Sequence, residues 1–144
     1  MNKKFLILAI TILIIVIIFI GSLSNLSDKK IDSAFHVTLA DPKLYENGVY
    51  SSKFVIENGE YTFRFVPNGD SPHTLTISLK GDNFEFYENF MLNGTLHETG
   101  ISEYYTWDYD GQKIILIPTL KEISIQINPN GNVKGSVSVD IIRN

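Results

Sequence analysis

Three histidines, one tryptophan and a run of alternating tyrosines are the residues of this 144-residue chain with most chemistry to offer. His36, His73 and His97 are its only imidazoles, and it has no cysteine. Without a thiolate, blue-copper and zinc–thiolate centres are excluded. Two histidines and a carboxylate from separate loops would still suffice for zinc or copper, with His73, just after Pro72, and His97 as the candidate pair. Such residues more commonly serve as half-exposed strand positions, so no metal ligand is assigned. Asn68-Gly69-Asp70, Asp82-Asn83, Asp108-Tyr109-Asp110 and the run Asn128 to Asn132 cluster oxygen atoms. None follows the EF-hand order, and Asp, Asn and Gly are also what tight turns require.

Tyr105, Trp107 and Tyr109 alternate with Tyr104, Thr106 and Asp108, which puts three aromatic rings on one face of a strand. Exposed, the row would stack on sugar rings. Buried, it is a large packing contribution, and a small core favours that use. Tyr105, Trp107, Tyr109, His73 and His97 are thus the candidate ligand contacts. Catalysis is not expected. Glu103, Asp108 and Asp110 are near neighbours, but two working carboxylates need a cleft that separates their pKa values. There is no Gly-x-Ser-x-Gly, no His-Glu-x-x-His, no phosphate loop and no Cys–His pair. No cofactor is implied.

The elements that must hold these residues read as strands. From Phe35 onward the dominant period is two: Phe35, Val37 and Leu39; Tyr61, Phe63 and Phe65; Leu75, Ile77 and Leu79; Ile123, Ile125 and Ile127; Val137, Val139 and Ile141. Each run has one apolar and one polar side, as an antiparallel sheet with one wet face demands. Asn58-Gly59, Asn93-Gly94 and Asp110-Gly111 are expected as tight type I′ turns. Pro67 to Pro72 and Asn128 to Asn132 are expected as longer breaks. Ile114 to Ile117, apolar on both sides, suits a central strand, and only Pro42 to Glu46 suits a helical turn. Eight or nine short strands, each with one apolar side, predict an all-β fold: a single antiparallel β-sandwich over residues 34–144.

One N-terminal segment is expected to be different. Lys3 and Lys4 precede a run from Phe5 to Ile20 that is apolar but for Thr11. Continued to Leu23 as a helix, it measures about 28 Å, close to a hydrocarbon core of about 30 Å. Residues 1–23 are expected to be a transmembrane or signal helix, with the N-terminus cytoplasmic and the body extracytoplasmic. The length favours a retained single-pass anchor, whereas Ser22-Leu23-Ser24 would permit cleavage and secretion. Residues 24–33 are polar and read as a tether. Asn25-Leu26-Ser27 and Asn93-Gly94-Thr95 fit the glycosylation sequon, a pattern common by chance.

Charge narrows the partners. Residues 34–144 carry a net charge of −6 with only two arginines, Arg64 and Arg143, so nucleic acid is not an expected partner. Tyr61 to Pro72, Tyr104 to Gly111, Ile127 to Asn132 and Gly135 to Ile141 together resemble a group of small archaeal proteins with an N-terminal membrane helix and a secreted β body. That group has no assigned activity, so the resemblance implies location and fold and carries over no functional residue. The expectation is a non-enzymatic structural or protein-interaction module of the cell envelope. It would touch the membrane through its first helix and a cell-surface protein through its loops or sheet edges. The alternative is a surface module that binds carbohydrate or metal.

Overall fold

The structure, a computed structural model, describes residues 33–144; the helix expected over 1–23, the sequon at Asn25 and the tether up to residue 32 lie outside the described residues. Nine strands follow in order: β1 (Ser33–Leu39), β2 (Tyr50–Ile56), β3 (Gly59–Pro67), β4 (Thr74–Gly81), β5 (Phe84–Glu98), β6 (Glu103–Asp110), β7 (Ile114–Ile117), β8 (Lys121–Asn128) and β9 (Val137–Arg143). They form two sheets, β1-β9-β3-β7 and β2-β8-β4-β5-β6, with every pairing antiparallel. A single 3-10 turn, Pro42–Leu44, starts at Asp41, whose carboxylate accepts from the Lys43 N–H at 2.9 Å.

Alternation builds the core as expected. Leu39, Phe63, Leu75, Ile77, Ile125 and Val139 are among the fully buried residues contributed by both sheets. The Phe65 ring stands 4.8 Å from Phe90 and 5.1 Å from Tyr109, and Phe63 lies 5.5 Å from Phe86, all tilted or offset as aromatic quadrupoles prefer. On the outer face of the four-stranded sheet, Asp140 is 3% exposed. It accepts from Arg64 Nε and Nη2 at 3.1 and 3.0 Å and meets His36 Nδ1 at 2.6 Å. These contacts compensate a carboxylate withdrawn from water.

Connectivity departs from expectation in an instructive way. Of the eight connections, only β4–β5 and β5–β6 stay within one sheet; the others carry the chain across to the opposite layer. Asn58-Gly59 and Asp110-Gly111 are therefore corners between sheets rather than I′ hairpins. At Gly111, φ is +151° and a Cβ would lie 2.6 Å from the Phe90 ring, so only glycine lets the chain turn over that ring. Asn93-Gly94 is no turn at all and lies inside the 15-residue β5. The I′ geometry occurs instead at Asn47-Gly48, with φ of 51° and 81°, where Glu46 and Val49 exchange hydrogen bonds of 2.9 and 3.0 Å. β7 is an edge strand and not a central one, and its outward Leu116 is 69% exposed.

Tyr109, which is fully buried, and Tyr45, which is half-buried, differ in their hydroxyls. Tyr109 donates to the Pro72 carbonyl, whereas the Tyr45 hydroxyl is buried with no partner among the described residues. Tyr45→Phe is expected to be neutral or to stabilise by up to about 1 kcal/mol in urea unfolding, and Tyr109→Phe to cost about 1–2 kcal/mol. Burial pushes the Tyr109 phenol well above its ordinary value. The unfolded chain ionises this phenol near pH 10 while the folded chain keeps its proton. Its contribution is therefore complete below about pH 10 and is lost as pH rises further, a decline that Tyr109→Phe should flatten.

Candidate functional site

The site follows from a mismatch in strand length. β4 pairs with β5 only from Phe84 to Met91, and β6 pairs with β5 only from Met91 to Glu98. Beyond the end of β4, the β5–β6 pair continues as a two-stranded ribbon. Its tip is the loop Thr99 to Ser102, closed by Thr99 N–H to the Ser102 carbonyl at 2.8 Å. The inward face of β5 runs Phe86, Glu88, Phe90, Leu92, Gly94, Leu96, apolar from Phe90 onward, and the last three stand opposite Tyr109, Trp107 and Tyr105. One apolar face thus begins in the core and continues outside it.

The three rings of the aromatic row have different fates along that face. Tyr109 is fully buried, Trp107 is 53% exposed and Tyr105 is 55% exposed. The expected burial of the row holds for Tyr109 and fails for the other two, because the ribbon outruns the opposing sheet. Trp107 lies flat over Gly94: a Cβ there would stand 2.8 Å from the indole Cζ3. Tyr105 stacks beside it with ring centroids 5.9 Å apart and planes 27° apart. Glycine opposite a large aromatic covers the bare backbone with one ring face and leaves the other outward.

A cleft of about 260 Å³ lies where the ribbon meets the loops, lined by Asn68, Asp70, His73, Leu92, Trp107 and Asn132 among others. Its walls are braced from both sides. The Tyr109 hydroxyl holds the Pro72 carbonyl and the Leu92 N–H donates to the His73 carbonyl at 2.8 Å, which ties the loop before β4 to the ribbon. Asn132 Nδ2 donates to the Asp70 carbonyl at 3.2 Å, and the Ser136 N–H donates to Asp70 Oδ1 at 3.2 Å. Asn68 Nδ2 donates to Ser136 Oγ at 3.0 Å. The oxygen-rich runs Asn68-Gly69-Asp70 and Asn128 to Asn132 meet in space through Asn132 and Asp70, and most of their other polar groups are taken by Ser136, Gly135, Thr74 and Thr76. No set of three His, Asp or Glu residues able to hold a metal occurs among the described residues.

The remaining candidates separate. His97 faces the other side of the ribbon, stacked on Tyr104 at 5.0 Å with Nε2 2.8 Å from Thr106 Oγ1. His73 lines the cleft with Trp107, so the two histidines expected as a pair do not meet. Asp108 pairs with Lys113, Asp110 accepts from Asn93 Nδ2 at 2.9 Å, and Glu103 sits across from Glu98 at the ribbon tip. The three carboxylates share no cleft. Sequence reasoning missed a different alignment: His36 Nε2 lies 3.4 Å from Thr38 Oγ1, which in turn contacts Ser138 Oγ at 2.9 Å. In this Asp140–His36–Thr38 line the carboxylate is withdrawn from water, whereas the imidazole and the hydroxyl are exposed on the outer face of the sheet. The β1–β9 register was its only signal.

Gly94→Ala separates platform from fold. The new methyl must displace the indole, whose outer face is open, so stability is expected to stay within about 1 kcal/mol of the parent. Near-UV circular dichroism of the single tryptophan is expected to change clearly; an unaltered spectrum contradicts the stacking of Trp107 on Gly94.

No protein-family model matches the chain, and no solved structure matches it. A UPF0538 protein of Dictyostelium discoideum is 43% identical over 47 residues, a stretch that covers 31% of this chain and only 38% of that protein. The resemblance to small archaeal proteins is thereby corrected: the similarity found is to a eukaryotic protein, and it is local.

Proposed function

We propose that this chain is a membrane-anchored, extracytoplasmic module of the cell envelope that works by binding rather than catalysis, and that it docks on another envelope component through the β5–β6 ribbon. The observation that carries the reading is the uncovered apolar face of Leu96, Tyr105 and Trp107, with the fully exposed Ile101 at the ribbon tip. Large apolar residues grouped on a projecting element mark contact surfaces, and rigid aromatics lose little entropy when they bind. The basic start and the apolar run from Phe5 to Ile20 support the location; cleavage at Ser22 to Ser24 would release the same module outside the cell.

Two measurements test this. In fractionated cells the full chain is expected in the membrane pellet, with residues beyond Ser33 removed by protease added to intact cells. A cytosolic, protease-resistant chain contradicts the location. With a photo-crosslinking residue at position 105, the full chain is expected to form a discrete adduct on cells, lost in the Trp107→Ala background. Equal labelling by the same residue at exposed Lys43, on the 3-10 turn, contradicts the ribbon as the contact.

A further inference from the structure

We infer that the ligand of this surface is a neutral glycan chain, stacked on Trp107 and Tyr105 and hydrogen-bonded in the adjoining cleft. The inference rests on the reading of the ribbon as the docking surface and adds the chemical class of what docks. A pyranose ring is amphipathic, with a flat face of C–H groups and a rim of hydroxyls that both donate and accept. The site presents the complement of each part side by side.

For the flat face there is an indole fixed on Gly94 with its outer side half exposed, continued by the Tyr105 ring at 5.9 Å. Two rings in a row offer two stacking places, so an oligosaccharide is held better than a single sugar. For the rim there is the cleft floor. One oxygen of Asp70 accepts from Ser136 and the other has no hydrogen bond among the described residues. The exposed His73 ring likewise has no hydrogen-bond partner among them, and Asn68 gives its amide nitrogen to Ser136 while its amide oxygen stays available. An acceptor carboxylate, an imidazole able to donate or accept, and an amide oxygen are the groups that read sugar hydroxyls. The loops that carry them are cross-braced before any ligand arrives, which limits the ordering cost of binding.

Charge selects among glycans. The cleft lining contains no lysine or arginine, Asp70 sits in it, and residues 34–144 carry a net −6. A uronic, sialic or phosphorylated chain would meet like charge with no guanidinium to clamp it. The occupant is therefore an uncharged oligosaccharide. A bare protein surface is the competing outcome, because it would use the apolar face alone and leave the Asp70–His73 floor unengaged.

Trp107 is the only tryptophan in the chain, so its fluorescence reports directly on the site. The detergent-solubilised full chain is titrated with neutral hexasaccharides of glucose, mannose, galactose and N-acetylglucosamine, and with an oligogalacturonate as the acidic control. At least one neutral chain is expected to shift the emission to the blue and protect it from acrylamide. Binding should weaken at least tenfold in Trp107→Ala and severalfold in His73→Ala and Asp70→Asn, with the acidic control giving no shift. The circular dichroism of each variant establishes that it is folded. Binding that survives unchanged in folded His73→Ala and Asp70→Asn overturns the assignment of the cleft. No response to any neutral chain, with the position-105 adduct still formed on cells, overturns the glycan and leaves the ribbon as a protein contact. Loss of both overturns both proposals.

Discussion

The molecule depends on one constraint: each strand has a single apolar side, and that side must be covered by the other sheet. Because the chain crosses between layers at most of its connections, nearly every strand contributes to both the covering and the covered surface. β5 and β6 break the symmetry. They remain in one layer, and β5 is about twice the length of its neighbours, so its apolar face extends past the sheet that should cover it. Core and candidate binding surface are two ends of the same stripe.

The point where the stripe leaves the core is held by Tyr109. Its ring packs against Phe65, and its hydroxyl holds the Pro72 carbonyl, so one side chain is both the last core residue and the strut of the cleft. Two residues along the same face, Trp107 rests on Gly94 and is half exposed. The shift from packing to presentation takes place within one repeat of the strand. A stable base under a rigid aromatic is the arrangement that lets a surface ring bind without first being ordered.

Most of the sheet architecture was legible in the sequence, because period-two alternation from Phe35 to Ile141 depends only on which side of a pleat a residue occupies. The all-β class and a count of eight or nine strands followed from it, and the helical turn fell in a segment, Pro42 to Glu46, that lacks the alternation. Turn identity did not follow. Asn-Gly and Asp-Gly specify a local backbone shape, and the same pairs served as a hairpin at Asn47-Gly48, a corner at Asn58-Gly59 and mid-strand positions at Asn93-Gly94. What distinguishes them is which sheet the following strand joins, a long-range property. Ile114 to Ile117 misled for a related reason: apolar residues on both sides suggested two covers, and one side faces outward on an edge.

The candidate site was half legible. Alternation placed Tyr105, Trp107 and Tyr109 on one face, but whether that face is covered depends on how far the opposing sheet reaches, and no residue of the row encodes this. The meeting of His73, Asp70 and Asn132 with Trp107 depends on loops some sixty residues apart in sequence being stitched together. The central claim is that the apolar stripe leaves the core between Tyr109 and Trp107. Acrylamide quenching of the unliganded full chain measures this directly, since its one tryptophan is the residue in question. The account predicts red-shifted emission that acrylamide quenches through the open face of the indole. Blue-shifted emission that acrylamide does not reach would place Trp107 inside the core and contradict the account.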